Sequence, residues 1–296
     1  MTSPDVFKNT VEPDSTYPFD SAKTDEHQRL ELQSTAIKQL TNGRLIHSPV
    51  GTVKKVLEIG CGTGTTTTQL AQDFPEATVI GLDRAAVPPL YVKPANVTYI
   101  TGKFEDLVQT DHPALGKGTC DLIYSRFVSQ GVGQWSKHIE LCHDLLAPGG
   151  FLELHETDGS ALYSAKSPDA PDPKTTEWKW HQFVMDESLK YGVAANDIGR
   201  LGDIMEQVGL GSVGRIHYPF VFYPWPARPE TEAIGEYCKR FTPMVIKQMI
   251  ALLGRDKSDP LRVQTLQEEV DQTLGKAEIE GLHFRFYVWF GQKKLE

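Results

Sequence analysis

Residues 53–64 read VKKVLEIGCGTG, a short β-rich run that ends in a string of glycines. Val53–Ile59 has the apolar, β-branched character of a buried strand. Thr65–Phe74 has helical spacing and is closed by Pro75. Glycines between a strand and a helix let the backbone approach a ligand closely at the carboxyl edge of a sheet. A dinucleotide fingerprint needs glycine at position 65, which is Thr65, and a phosphate loop needs a lysine that does not follow Gly64. Glu58, two residues before the first glycine, sets a carboxylate beside the loop. It repels a pyrophosphate and attracts an ammonium group. The next strand, Thr78–Leu82, ends in Asp83, nineteen residues after Gly64. An acid there can accept hydrogen bonds from both ribose hydroxyls. An acid for an ammonium, a bare glycine loop and an acid for a ribose describe S-adenosylmethionine better than NAD.

Outward from this core the pattern repeats. Val97–Ile100, Cys120–Tyr124 and Phe151–Leu154 read as further strands, with a helix from Gln134 to Leu146 stopped by Pro148-Gly-Gly. Strands alternating with helices imply a parallel sheet with helical crossovers, an α/β fold. Upstream, residues 1–22 read as an extended arm and Asp25–Leu40 as an amphipathic helix. Downstream, residues 164–174 hold three prolines and read as a loop. A helix with Trp178, His181, Met185 and Leu189 on one face follows, then a helix over Asp197–Val208. Strands are expected over Ser212–Tyr223 and Phe284–Phe290. The organisation expected is an arm and helix over 1–45 and one α/β domain over 46–296, with a helical insertion at about 224–280 that forms a lid or substrate wall.

Composition narrows the partners. The 296 residues carry 30 basic and 39 acidic side chains, a net charge of −9, against a surface that tracks phosphates. No apolar run approaches the roughly 18 residues of a membrane helix. The polar first fifteen residues fit neither a secretory nor a transit peptide, so a cytoplasmic protein is expected. Cys61, Cys120, Cys142 and Cys238 are scattered without a CxxC pair, which argues for reduced thiols. No HExxH or paired-histidine motif occurs, and no metal is expected.

VLEIGCGTG, the acid in VIGLD and the strand–helix order resemble the class I methyltransferases. CDLIYSRFVSQGVGQW followed by LLAPGGFLEL, with TYPFDSAKTDEHQRLELQ upstream and FYPWPARPETEAIGEY downstream, resembles more narrowly the fungal LaeA-like methyltransferases of secondary metabolism. The resemblance runs from about Tyr17 to the C-terminus. It implies a Rossmann-like fold with a seven-stranded, mostly parallel sheet, and S-adenosylmethionine as cofactor with S-adenosylhomocysteine as product. Carried over by position, it puts Glu58, Gly60, Cys61, Gly62 and Gly64 around the methionine and ribose, Asp83 on the ribose hydroxyls and Arg84 beside the adenine. The family places an acid after the glycine that follows the third strand; Lys103 stands there, leaving Phe104 and Glu105 as the adenine contacts. Ser125 and Arg126 border the transferred methyl, and Tyr17 closes over the methionine end.

The acceptor side is read from the aromatic residues of the late segments. Trp178, His181, Tyr223 and Trp225 are the expected pocket, suited to a small aromatic or apolar acceptor. His155, taken to follow the fifth strand at the sheet's carboxyl edge, is the candidate general base, with Glu156 or Asp158 as substitutes. A histidine near the site slightly favours oxygen over nitrogen or sulfur as the nucleophile. Two rival functions stand beside methylation of a natural product: a LaeA-like regulator acting through protein partners, and an enzyme that uses its cofactor without net methyl transfer. A monomer or homodimer is expected.

Overall fold

A computed structural model describes residues 24–90, 92–190, 195–255, 259–275 and 278–295. Its frame is a seven-stranded sheet in the order β3-β2-β1-β4-β5-β7-β6: β1 (Lys55–Ile59), β2 (Thr78–Asp83), β3 (Val97–Thr101), β4 (Cys120–Arg126), β5 (Leu146–Tyr163), β6 (Gly211–Val221) and β7 (His283–Gln292). The first five strands run parallel to one another; β7 is antiparallel to both β5 and β6. The apolar run Val56-Leu57 is buried because β1 lies between β2 and β4 with helices on both faces. The strand order reverses at β1, with β2 and β3 added on one side and β4 and β5 on the other, and this switch point is where open α/β sheets bind ligands.

On one face, Val56, Val79, Tyr124 and Phe151 pack with Leu70 and Ala71 of α2 (Thr65–Asp73). On the other, Leu57, Ile123 and Leu152 pack with α3 (Phe104–Gln109), α4 (Trp135–Leu145) and α6 (Leu201–Val208). The N-terminal helix α1 (Thr24–Leu40) buries Ala36, Ile37 and Leu40 against β6, β7 and α7 (Glu232–Leu253). Helices α7 and α8 (Pro260–Leu274) fill the segment between β6 and β7. With α5 (Lys179–Lys190) they share an apolar cluster of their own, built on Trp180, Phe183, Ile250 and Val270.

The helix expected over Asp197–Val208 is a 3₁₀ stretch, Ala195–Arg200, followed by α6, and two elements near the site also differ from the sequence expectation. β5 does not stop at Leu154; β7 pairs with it from Phe151↔Gln292 to Asp158↔Arg285, so its backbone groups have partners well past that point. Helix α5 begins at Lys179, which leaves Trp178 just outside it. No described helix is long and apolar enough to cross a membrane.

Candidate active site

The glycine turn after β1 is held by its neighbour strand. The amides of Gly60 and Cys61 both donate to the Leu82 carbonyl, at 2.8 and 3.0 Å. Gly60, Gly62 and Gly64 all have positive φ, the region that disfavours side chains. At Gly60 a Cβ would also sit 2.5 Å from Val128 Cγ1. Asp83 completes the turn from below: Oδ2 accepts from the Gly62 amide at 2.8 Å and Oδ1 from the Ala85 amide at 3.0 Å. Each of these oxygens keeps a lone pair for a ligand.

From above, α1 reaches the same loop. Glu31 accepts hydrogen bonds from the hydroxyls of Thr63 and Thr65. Arg126, at the end of β4, donates from Nη2 to Thr66 Oγ1 at 2.7 Å and to Ser34 Oγ of α1 at 3.1 Å. Arg29 is paired with Glu26 and donates to the Tyr237 hydroxyl, which joins α1 to α7. Glu58 lies under this lattice, 3% exposed, accepting from Thr67 Oγ1. Burial pushes its carboxyl up to about 7, an effect that Thr67 and the Arg126 charge only partly offset.

Most of the residues around the loop line one continuous cavity of about 1090 Å³. That exceeds the roughly 300–1,000 Å³ typical of a site for one small ligand. One half is polar and glycine-rich: Glu58, Gly60, Cys61, Gly62, Asp83, Arg84, Phe104, Glu105 and Arg126 all reach it. Glu105 accepts from His138 Nδ1 at 3.4 Å, and that hydrogen bond holds its carboxyl below the ordinary range. The other half is mostly apolar, with Trp180, Val184, Met185, Ile246, Met249 and Phe284 in its wall beside His181.

Not every expected residue is there. Gly64 is the left-handed N-cap of α2 and is absent from the wall; a Cβ on it would strike the Tyr99 hydroxyl. Ser125 is fully buried and shares a face of β4 with Ile123, which packs on α4; it is absent from the cavity wall. Tyr17 lies outside the described residues. Of the four acceptor-side residues only His181 lines the cavity. Trp178 leans on Trp180 at the helix start, Tyr223 donates its hydroxyl to the Leu274 carbonyl, and Trp225 stacks on His283 at a ring separation of 6.1 Å. The latter two tie the insertion to its base. The residues missed, Trp180, Val184 and Met185, were in the sequence at helical spacing; starting the helix at Lys179 selects Trp180 in place of Trp178.

His155 is the main correction. Because β5 continues past it, the ring lies within the sheet, 1% exposed, with both nitrogens engaged. Nε2 donates to Glu153 Oε1 at 2.7 Å, and Nδ1 meets the Tyr124 hydroxyl at 3.2 Å. His47 mirrors it, with Nδ1 3.3 Å from the same Glu153 oxygen and Nε2 3.0 Å from the Tyr218 hydroxyl. Glu153 also accepts from the amides of His47 and Ser48 and the Ser48 hydroxyl; against the cost of burial, the side-chain hydrogen bonds from His155, His47 and Ser48 hold its carboxyl far below the usual range. The two histidines and Glu153 have the proximity of a metal half-site, with ligand atoms within 4.8 Å. Each ring nitrogen nevertheless already has a hydrogen-bond partner, and none of the three lines the large cavity. Glu156 is buried as well: Oε1 accepts from the Val128 amide at 2.7 Å, and burial raises its carboxyl to about 8.

A parallel sheet of this order, with a glycine turn after β1 and an acid closing β2, defines the class I S-adenosylmethionine-dependent methyltransferases. The chain belongs to the methyltransferase-domain family, whose model matches residues 29–209. It is 26% identical over 221 residues to methyltransferase pytC of Aspergillus terreus, covering 74% of this chain and 65% of that one. It is 31% identical over 144 residues to methyltransferase str3 of Strobilurus tenacellus, covering 48% of this chain and 49% of the relative. To the secondary metabolism regulator laeA of Aspergillus fumigatus it is 32% identical over 136 residues, covering 45% of this chain and 35% of the relative. The chain thus spans less than two thirds of the length of each of these relatives.

Proposed function

We propose that this chain transfers the methyl group of S-adenosylmethionine to a small, largely apolar natural product. One observation carries the reading: a glycine-loop half with the carboxylates Glu58, Asp83 and Glu105 and an apolar half share a single cavity. The residues present fit the cofactor. Gly60, Cys61 and Gly62 present the backbone of the turn to the cavity, with Gly60 and Gly62 in the positive-φ conformation that the turn requires, and Glu58 supplies a counter-charge for an ammonium group. Asp83 receives the ribose hydroxyls, Gly60, Cys61 and Gly62 form the turn beneath, and Phe104, Glu105 and Arg84 flank the adenine. Arg126 keeps α1 against the loop through Ser34 and Thr66.

The bound cofactor supplies an electrophilic methyl whose leaving group departs neutral. The protein's work is alignment and exclusion of water, which together contribute up to roughly 7–11 kcal/mol in well-oriented reactions. Trp180, Val184, Met185, Met249 and Phe284 hold the acceptor's apolar body. Calorimetry with S-adenosylhomocysteine tests the cofactor half; micromolar binding is expected, and a folded protein that does not bind refutes the reading. Similarity to laeA supports a second reading, a regulator working through protein partners. Formation of S-adenosylhomocysteine in the presence of small acceptors, and not without them, decides for the enzyme.

A further inference from the structure

We infer that His181 is the general base of the reaction and that the acceptor presents a hydroxyl group to it. The inference rests on the methyl-transfer reading above and specifies its nucleophile. His181 lies on the first turns of α5, and its ring forms part of the wall of the apolar half of the cavity. Its Nε2 lies 2.7 Å from the carbonyl oxygen of Gly159 on β5. A carbonyl only accepts, so Nε2 carries the proton. In the neutral ring that leaves Nδ1 as a lone pair. Among the described residues the ring's one hydrogen bond is to Gly159, and the ring lines the cavity wall, which leaves Nδ1 as the nitrogen available to a ligand there.

The ring is fixed in this pose from three sides. Trp180 packs edge-on at 5.5 Å, Phe284 of β7 lies at 6.4 Å, and the Gly159 carbonyl holds Nε2. Asp158, also on β5, is the charged group that acts on it. Burial keeps the imidazole below its ordinary pKa and hence neutral at pH 7, while the carbonyl and Asp158 favour the imidazolium that forms on proton transfer. This orientation by a fixed acceptor is the logic that holds catalytic histidines in the right tautomer. His155, with both nitrogens occupied in the sheet, lacks any such opening.

The step balances as follows. The acceptor's O–H proton passes to His181 Nδ1, and its oxygen forms the new O–CH₃ bond. The S–CH₃ electron pair returns to sulfur, giving neutral S-adenosylhomocysteine and a methyl ether or ester. An amine acceptor has its own lone pair and needs no base at this point, so the geometry selects hydroxyl compounds.

The test, run at about pH 8, pairs two probes of one shape, 1-naphthol and 1-naphthylamine, with 4-nitrophenol, whose hydroxyl is largely ionised at that pH while that of 1-naphthol is not. Methyl transfer from S-adenosyl-[methyl-¹⁴C]methionine is followed in wild type and His181→Gln. Wild type is expected to methylate 1-naphthol in preference to 1-naphthylamine. His181→Gln is expected to lose 10²–10⁴-fold in kcat with 1-naphthol. It should keep its affinity for S-adenosylhomocysteine within twofold and recover most of its rate with 4-nitrophenol, which has no proton left to remove. A merely structural histidine would not be rescued by an acidic acceptor. Transfer to the amine alone, no transfer to any hydroxyl probe by protein that binds S-adenosylhomocysteine, or equal losses with both phenols overturns the inference and leaves the methyl-transfer reading standing. Failure to bind S-adenosylhomocysteine defeats that reading itself. ¹⁵N NMR of the histidine rings in the S-adenosylhomocysteine complex gives an acceptor-free check: an Nε2–H tautomer is expected at His181, and an Nδ1–H tautomer overturns the inference.

Discussion

Cofactor affinity should depend on pH through Glu58. The carboxyl is buried, and its pKa in the unliganded protein is about 7. Only the ionised form offers a counter-charge to an ammonium group, so at acidic pH binding must first expel a proton. With that pKa, about one tenth of the protein carries the carboxylate at pH 6 and about nine tenths at pH 8. The dissociation constant of S-adenosylhomocysteine is therefore expected to be about tenfold weaker at pH 6 than at pH 8, or ~1.4 kcal/mol. Near pH 7, binding should release roughly half a proton per site, visible as a heat that changes with the ionisation enthalpy of the buffer. Titration calorimetry at pH 6, 7 and 8 in two buffers measures both. Glu58→Gln, which retains an acceptor for the Thr67 hydroxyl, should bind more weakly at pH 8 and lose the slope. A wild-type dissociation constant constant within twofold across that range, with no proton release, would refute Glu58 as the ammonium partner.

Asp83→Ala removes the acceptor for the Gly62 and Ala85 amides as well as for the ribose, so it should weaken S-adenosylhomocysteine binding by roughly 1–3 kcal/mol by calorimetry. Met185→Trp should fill the apolar half and suppress acceptor turnover while leaving cofactor affinity intact. Trp225→Ala, by contrast, should lower stability to urea by about 3–5 kcal/mol through lost packing, with no specific effect on the cofactor; a selective loss of turnover would return Trp225 to the site. The raised carboxyl of Glu156 means that the native state holds a proton the unfolded chain has released. From about pH 4.5 to 8 it should therefore cost stability as pH rises, by up to ~1.4 kcal/mol per pH unit. Glu156→Gln, which keeps an acceptor for the Val128 amide, should flatten that slope in urea titrations.

The parallel half of the fold was legible because its information is local. Strand, glycine turn, helix and terminal acid fall in order between Val53 and Asp83, and each constrains its neighbour. Most of the residues expected around the glycine turn line the cavity beside it. The apolar half of the cavity was less legible, because helical phase decides which aromatic faces inward. Helix α5 starts one residue after Trp178, which leaves that ring outside the helix and Trp180 in the wall, and only tertiary packing fixes that start. His155 was misjudged for a related reason. The length of β5 is set by β7, more than a hundred residues away, and no local pattern marks where such a strand ends. Ser125 shows the same limit in small: its position at the strand end is correct, but alternation turns its side chain to the other face.

The chain of side chains from Tyr218 through His47, Glu153 and His155 to Tyr124 also has a consequence for how the molecule is assembled. Its members come from four places: the link between α1 and β1, then β4, β5 and β6. Sequence separations of 106 residues between His47 and Glu153 and 171 between His47 and Tyr218 make it one of the least local clusters in the protein. Until β6 has joined the sheet, the peptide that follows α1 cannot complete this fastening. Helix α1, which covers the glycine loop through Glu31 and Ser34, thus has its return path secured only when the far end of the sheet is in place. Loop closure over such distances is slow relative to local helix formation. The glycine turn rests on local contacts, whereas the roof above it depends on contacts with the far end of the sheet, so a complete pocket requires both ends of the chain in place.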